Sequence, residues 1–474
     1  MATKIGQLAQ ELTRTNPWWR DRTWQERDLD LLEARAGGLT YRSGVLAGVE
    51  PGCLYLLRGP RRVGKTVAVK QQIEDLLTAG IPPTCIVRVA ADGWEAKDLR
   101  TLLQNTALPP TPGGQARYWF IDEVSAVVGP WDQQLKWLRD NDTEFRAATV
   151  VLTGSNATAL TEAAGALAGR RGSASHLDRT LLPIGFRTFV RLVGRVPAPP
   201  DVAVSPPELR TAAARTTYFA LLPWLDQLVE LWDTYLMYGG FPRSVAAAAA
   251  GAPIPAGLAD DLFTVVSADA FKTSRMSALT EMAFLERLWA SMASPANFSN
   301  IGQDIGVSQD TVARHVAHLR DAFLLWHCPR RAERHWLPRP RAQEKLYAVD
   351  PLIARLAHLR NERRADVDPT VLTEMRIGMA LRRRVLADRP AVGNDEFLFH
   401  VRTPARKEID FVSEALGGVA IKGKYGEDGN WRGEAATVNA SEWDGILVTR
   451  NVLDTGSDRA WAVPAGILCY LLDS

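Results

Sequence analysis

The stretch GPRRVGKT, Gly59–Thr66, decides the fold. It follows the apolar run 53–57 and opens a segment with helical periodicity. Strand, glycine-rich turn and helix in that order turn the pattern G-x-x-x-x-G-K-[ST] into a phosphate-binding loop. Glycines let backbone N–H groups curl around phosphate oxygens, and the helix N-terminus adds positive potential. Gly59, Pro60, Arg61, Arg62, Val63, Gly64, Lys65, Thr66 and Val67 are therefore the expected contacts to ATP. Lys65 supplies a point charge to the phosphates, and Thr66 offers a hydroxyl to Mg²⁺.

Such a loop needs a second strand that ends in acids. RYWFIDE, 117–123, provides one. Asp122 is expected to hold the metal through water, and Glu123 to act as the base that polarises the attacking water. An acid pair at a strand end can also simply cap the following helix. A third strand, ATVVLTGSNA at 148–157, ends at Thr153 and Asn156. A polar residue there either touches the γ-phosphate or belongs to a turn built from Gly154, Ser155 and Asn156. LAGRRGS places Arg170 and Arg171 after a helix. Arginine is suited to spreading γ-phosphate charge, although an exposed pair is often only solvated. With TCIVRVA at 84–90, these runs alternate with helical patterns and are apolar on both faces. That predicts a parallel sheet covered on both sides.

The chain has 474 residues, 46% apolar, too many for one ordinary core. Charged residues make up 23%, which argues against wholesale disorder, and the net charge of +2 leaves the partner class open. Four separated cysteines read as buried thiols of a reducing compartment. There is no apolar core of signal-peptide type and no run long enough to span a membrane, so a cytoplasmic protein without membrane partners is expected.

VPAPPDVAVSPP at 196–207 reads as a linker or long loop, and YGGFP at 238–242 breaks a helical stretch. IGQDIGVSQDTVARHVAHL, 301–319, has the helix-turn-helix pattern, with a tight turn at Gly306 and an N-cap at Ser308. Its second helix is expected to expose Gln309, Asp310, Arg314 and His318. The clusters around Arg330, Arg331, Arg334, Arg339 and Arg341 suit phosphate contacts, as on a wing. The same motif also serves protein contact or acts as a hinge. His315 and His318 have no third ligand nearby, so no zinc site is expected. Strands return after 345, and KEIDFVSEALGGVAIKGK, 407–424, places Asp410 and Lys422 on two successive runs.

The order GPRRVGKT, YWFIDEV, VVLTGSNA, LAGRRGS, LLPIGFRTFV, YGGFP resembles the prokaryotic AAA+-type ATPases that carry a winged helix and a C-terminal restriction-endonuclease-like domain. The resemblance spans nearly the whole chain. It implies an α/β fold with a P-loop AAA+ core, a helical lid, a winged helix-turn-helix and a nuclease-like α/β domain. The implied division is an N-terminal segment at 1–48, the core at 49–195, the lid at 196–285, the winged helix at 286–340 and the nuclease-like domain at 341–474. Lys65 and Thr66 map to nucleotide and Mg²⁺ binding, Asp122 and Glu123 to the acid pair, Asn156 to the sensor position, and Arg170 to the arginine after the sensor helix, acting in cis or in trans. In the last domain Glu374 matches the helix acid, Asp410 the first metal-binding acid and Lys422 the catalytic lysine. The second acid falls at Ala420 and is missing. Glu408 lies one strand repeat from Asp410, so its taking that place needs a register shift.

The function implied is an ATPase whose nucleotide state drives binding of DNA. The alternatives are an ATP-gated metal-dependent DNA endonuclease and a nucleotide switch that binds protein partners. Self-association is open.

Overall fold

We analysed a computed structural model. It describes residues 2–35, 38–105, 108–194, 197–271, 276–333, 335–388, 397–403, 407–423 and 431–473. Arg334 lies outside the described residues. The chain forms two compact units, 1–182 with 321–323, and 183–320 with 324–474.

The first unit is built on a five-stranded sheet in the order β2-β3-β4-β1-β5. The strands are β1 (Leu54–Arg58), β2 (Ile86–Ala90), β3 (Tyr118–Asp122), β4 (Thr149–Thr153) and β5 (Asp178–Thr180). All neighbouring pairs are parallel. Alternate side chains feed opposite faces, as the two-residue period of a strand requires. Leu54, Leu56, Ile121 and Leu152 enter one core, and Tyr55, Leu57, Phe120 and Val151 enter the other. Burial on both faces explains why these runs read as continuously apolar. β5 is three residues long and polar, and its sequence carries no strand signal.

Helix Ala2–Thr15 leads into a segment laid along β2. Asn16 Oδ1 accepts the Arg88 amide at 2.5 Å, and Asn16 Nδ2 donates to the Arg88 carbonyl at 2.8 Å. The indoles of Trp18 and Trp19 both donate to the Ile86 carbonyl, at 3.0 and 2.9 Å. Trp18 packs edge-on against Trp24 in the core shared with the loop helix Lys65–Thr78.

The second unit joins helices from 186 onward to a second five-stranded sheet. That sheet runs β10-β11-β12-β13-β14, with strands Phe399–Arg402, Glu408–Val412, Val419–Gly423, Asp444–Thr449 and Ala460–Pro464. It is mixed: β10 to β12 pair antiparallel, β12 to β14 parallel. Two further pairs lie beside it, β6 (Leu325–Cys328) with β9 (Lys345–Ala348), and β7 (Arg331–Ala332) with β8 (His335–Pro338). Within this unit the helical segment packs on the C-terminal segment. Helix Leu225–Tyr238 packs so closely on the final helix Ala465–Leu472 that a Cβ on Gly466 would lie 2.8 Å from the Leu228 carbonyl oxygen. The Trp232 indole reaches Thr373 Oγ1 at 3.2 Å.

YGGFP has a specific reason within this unit. Asp350 is fully buried and accepts from the Gly240 amide at 2.8 Å and the Leu352 amide at 3.0 Å. Gly239 has φ +67°, and a Cβ there would lie 2.0 Å from Asp350 Oδ1. The Ile184 amide donates to the Gly240 carbonyl at 2.7 Å. YGGFP and AVDPL thus meet at one carboxylate, and LLPIGF is tied to Gly240 beside it. Among the described residues no helix is long and apolar enough to cross a membrane.

Candidate functional site

The phosphate loop leaves the C-terminal end of β1 and enters helix Lys65–Thr78. Gly59 has φ +145°, and a Cβ there would lie 2.1 Å from the Leu181 carbonyl oxygen, so only glycine fits. Gly64, at the helix N-cap, is left-handed with φ 100°. The Lys65 side chain is buried, and its ammonium donates to the carbonyls of Gly59 and Pro60 at 2.9 Å each. The loop therefore holds its lysine folded across its own backbone.

Asp122 ends β3, the second strand away from β1 in the sheet. Its Oδ1 accepts from Thr153 Oγ1 at 2.5 Å and its Oδ2 from Arg88 at 2.7 Å. Burial alone would raise its pKa. The Arg88 charge, the Thr153 hydrogen bond and the neighbouring Thr66 hydroxyl outweigh burial and hold it below the usual carboxylate value. Thr66 thus stands beside the acid with which it would share Mg²⁺. A cradle closed to Cβ atoms, a lysine, and a threonine against an ionised aspartate fit a nucleotide with its metal.

Glu123 adopts φ 54°, a left-handed conformation that costs a non-glycine residue on the order of 1–3 kcal/mol. Its amide is fixed by Thr153 Oγ1 at 2.9 Å, and its Oε1 accepts from Ser155 Oγ at 2.5 Å and Ser125 Oγ at 3.3 Å. Ser125 carries no signal of its own in the sequence, whereas Thr153 and Ser155 lie in the strand-tip segment read there as a γ-phosphate contact or a turn. Asn156 caps helix Ala157–Ala166, with its side chain accepting the Ala159 amide at 2.9 Å. Thr153 is the strand-tip group that touches both acids.

Arg170 lies beside the end of β1 opposite the loop. Its guanidinium donates to Asp140 at 2.6 Å. The adjoining Arg171 carbonyl accepts from the Leu54 amide at 2.8 Å, at the start of β1. The loop leaves the other end of that strand, roughly 16 Å away at ~3.3 Å per residue. Arg170 therefore cannot reach this chain's own phosphate loop.

In the second unit, helices Phe298–Ile305 and Gln309–Asp321 meet at Gly306, with φ 74°. Ser308 caps the second helix through the Thr311 amide at 3.2 Å. Gln309, Asp310 and Arg314 are exposed, as expected. His318 is not: its ring and that of the buried His315 both face the Ala270 carbonyl, at 3.0 and 2.8 Å. In the β7–β8 hairpin Arg331 is committed to Glu442 at 3.1 Å and stacks over Trp336. Arg339 and Arg341 are exposed and Arg330 half-buried. Burial, then the charges of Arg339 and Arg402, lower the Arg330 pKa, which marks a concentration of positive charge.

Glu374 and Asp410 do meet, but around a different lysine from the one expected. Lys345 Nζ lies 2.9 Å from Glu374 Oε1, 3.0 Å from Asp410 Oδ1 and 2.5 Å from Glu408 Oε1. Glu408 thus joins Asp410 without a register shift, because one ammonium spans both side chains. Lys422 instead donates to the Glu408 carbonyl at 2.9 Å and lies 3.7 Å from Glu434. Ala420 sits in an apolar cluster with Phe399, Ile409 and Val412. The β12 residue facing the acids is Gly423, whose amide donates to Asp410 Oδ2 at 2.8 Å. Among the described residues no group of three or more His, Cys, Asp or Glu is placed to hold a metal ion. The arrangement does not fit the divalent metal of a nuclease centre.

Residues 53–190 match a family described as an AAA domain, and residues 229–364 match a domain of unknown function. No curated protein matches. Among solved structures, the chain is similar to a Walker-type ATPase of Pyrococcus abyssi, with 12% identity, 71% of this chain and 95% of that one covered, and a TM-score of 0.38. The ORC2 protein of Aeropyrum pernix matches with 12% identity, 70% and 93% coverage and a TM-score of 0.33. The RuvB Holliday junction branch migration motor of Thermotoga maritima matches with 16% identity, 60% and 84% coverage and a TM-score of 0.27. The matched AAA segment contains the whole loop, both acids and the β4 tip.

Proposed function

We propose that the chain is an ATPase that binds ATP with Mg²⁺ at Gly59–Thr66 and uses the nucleotide state to govern binding of duplex DNA by its second unit. The observation that carries the ATPase reading is the glycine-only cradle around the buried Lys65, with Thr66 beside the ionised Asp122. Lys65 and the loop amides hold the phosphates, Thr66 and Asp122 hold the metal ion, and Glu123 takes the proton of the attacking water. Bound Mg²⁺ supplies neutralisation of the phosphate charge. Glu123 is oriented for this by Ser155 and Ser125. Arg170, directed away from its own loop, serves the nucleotide of a neighbouring copy.

The DNA reading rests on the helix-turn-helix followed by a hairpin, a winged-helix order, with Arg330, Arg339 and Arg341 at the hairpin base. The exposed helix face, with Gln309, Asp310 and Arg314, is weakly basic, and this favours a second reading in which the second unit binds a protein partner.

ATP turnover measured with and without duplex DNA tests both readings. Lys65→Ala is expected to abolish nucleotide binding. Glu123→Gln is expected to keep binding and slow hydrolysis by at least about 100-fold. Hydrolysis by Glu123→Gln at the wild-type rate overturns the base assignment. Absence of DNA binding down to low salt leaves the protein-partner reading.

A further inference from the structure

Lys345 heads β9, and its side chain has no solvent-exposed surface. A buried ammonium is tolerable only where carboxylates meet it with good geometry. Here three acceptors from three side chains meet it, and an ammonium has three N–H donors. The surroundings hold the acids in turn. The Tyr347 hydroxyl donates to Glu374 at 2.5 Å, and the Gly423 amide donates to Asp410. Trp326 stacks on Tyr347 with ring centroids 4.6 Å apart and closes the cluster on one side.

The elements involved are β9, β11 and helix Pro369–Asp388. Acids from a helix and a strand converging on one point are how a hard cation is bound. In this chain that point is occupied by a tethered ammonium. We propose that Lys345 is the resident cation of the cluster, and that the acids form a metal-independent clamp joining three elements of the second unit rather than a catalytic centre. The proposal does not depend on the ATPase reading.

The test uses the full chain without nucleotide and carrying Asp122→Asn, so that the metal position beside the phosphate loop does not contribute. Mn²⁺ titration is followed by the electron paramagnetic resonance of free Mn²⁺, and unfolding by temperature. With Lys345 present, no Mn²⁺ site is expected at the acids. Lys345→Met is expected to lower the unfolding temperature by roughly 5–10 °C or more, with Mn²⁺ restoring part of it. Neutralising the partners as well, in Lys345→Met with Glu374→Gln, Glu408→Gln and Asp410→Asn, is expected to recover most of the loss without Mn²⁺. This fourfold variant keeps the test valid if Lys345→Met alone does not fold. Tight Mn²⁺ binding with Lys345 in place that is lost in Asp410→Asn overturns the proposal. So does Lys345→Met as stable as its parent, or a fourfold variant no better than Lys345→Met.

Discussion

Thr153 joins the two acids of the nucleotide centre, donating to Asp122 and accepting from the Glu123 amide. Thr153→Val removes both bonds and leaves a buried N–H without its acceptor, a loss of about 1–3 kcal/mol. Hydrolysis is expected to fall further than ATP affinity, because Glu123 loses its anchor while Lys65 does not. Comparing turnover with equilibrium nucleotide binding checks this. At the acid cluster two groups titrate in opposition. Burial, then the Asp410 charge, raises the Glu374 pKa from 4.5 to about 7, so its contribution to stability is present below 4.5 and lost as pH rises toward 7. Burial, then the Lys345 charge, lowers the His400 pKa from 6.5 to about 4, so its contribution is present above 6.5 and lost as pH falls toward 4. Each slope is at most about 1.4 kcal/mol per pH unit, and between 4.5 and 6.5 they cancel. Glu374→Gln is expected to give a stability that rises with pH in that window, and His400→Gln one that falls; denaturant unfolding at several pH values checks both. The placing of Lys65, Thr66 and Asp122 was legible because the loop's spacing and the strand end fix their positions locally. Lys345 was not, because Glu374 and Asp410 lie 29 and 65 residues away and nothing in EKLYAV marks a buried ammonium.

Among elements, β1 to β4 were legible because burial on both faces leaves a continuous apolar run, and the helix-turn-helix because Gly306 and Ser308 punctuate it. β5 was missed because its three residues are Asp178, Arg179 and Thr180, an edge strand held by pairing to β1 rather than by apolar burial. YGGFP announced a break without its cause, since Asp350 lies 110 residues beyond Gly240. Gly239→Ala is expected to destabilise the second unit by more than ~3 kcal/mol, from backbone strain and the clash with Asp350 together. Thermal unfolding with the exposed change Met237→Gln as a control checks the size of the loss.

For the molecule as a whole, the chain forms two compact units, and the second ties the helices after 186 to the C-terminal segment through contacts such as Trp232 with Thr373. Contacts between distant segments decide that, and periodicity does not report them. If the hairpin base carries the DNA contacts, replacing Arg330, Arg339 and Arg341 by alanine is expected to reduce the log–log salt slope of duplex binding by about 3, near 0.9 per lost phosphate contact. Binding at a series of salt concentrations measures it. The first unit carries a further consequence in its side chains along β2. A parallel sheet that ends in an exposed strand offers its backbone groups to any other chain with groups of its own. Asn16 answers an amide and a carbonyl of Arg88 as a neighbouring strand would, and the two indoles cap the Ile86 carbonyl. These three side chains act as a counterfeit sixth strand, too irregular to be extended by another copy. Asn16→Ala with Trp18→Phe and Trp19→Phe is expected to turn a dispersed protein into one that aggregates through that edge, visible as light scattering that grows with concentration.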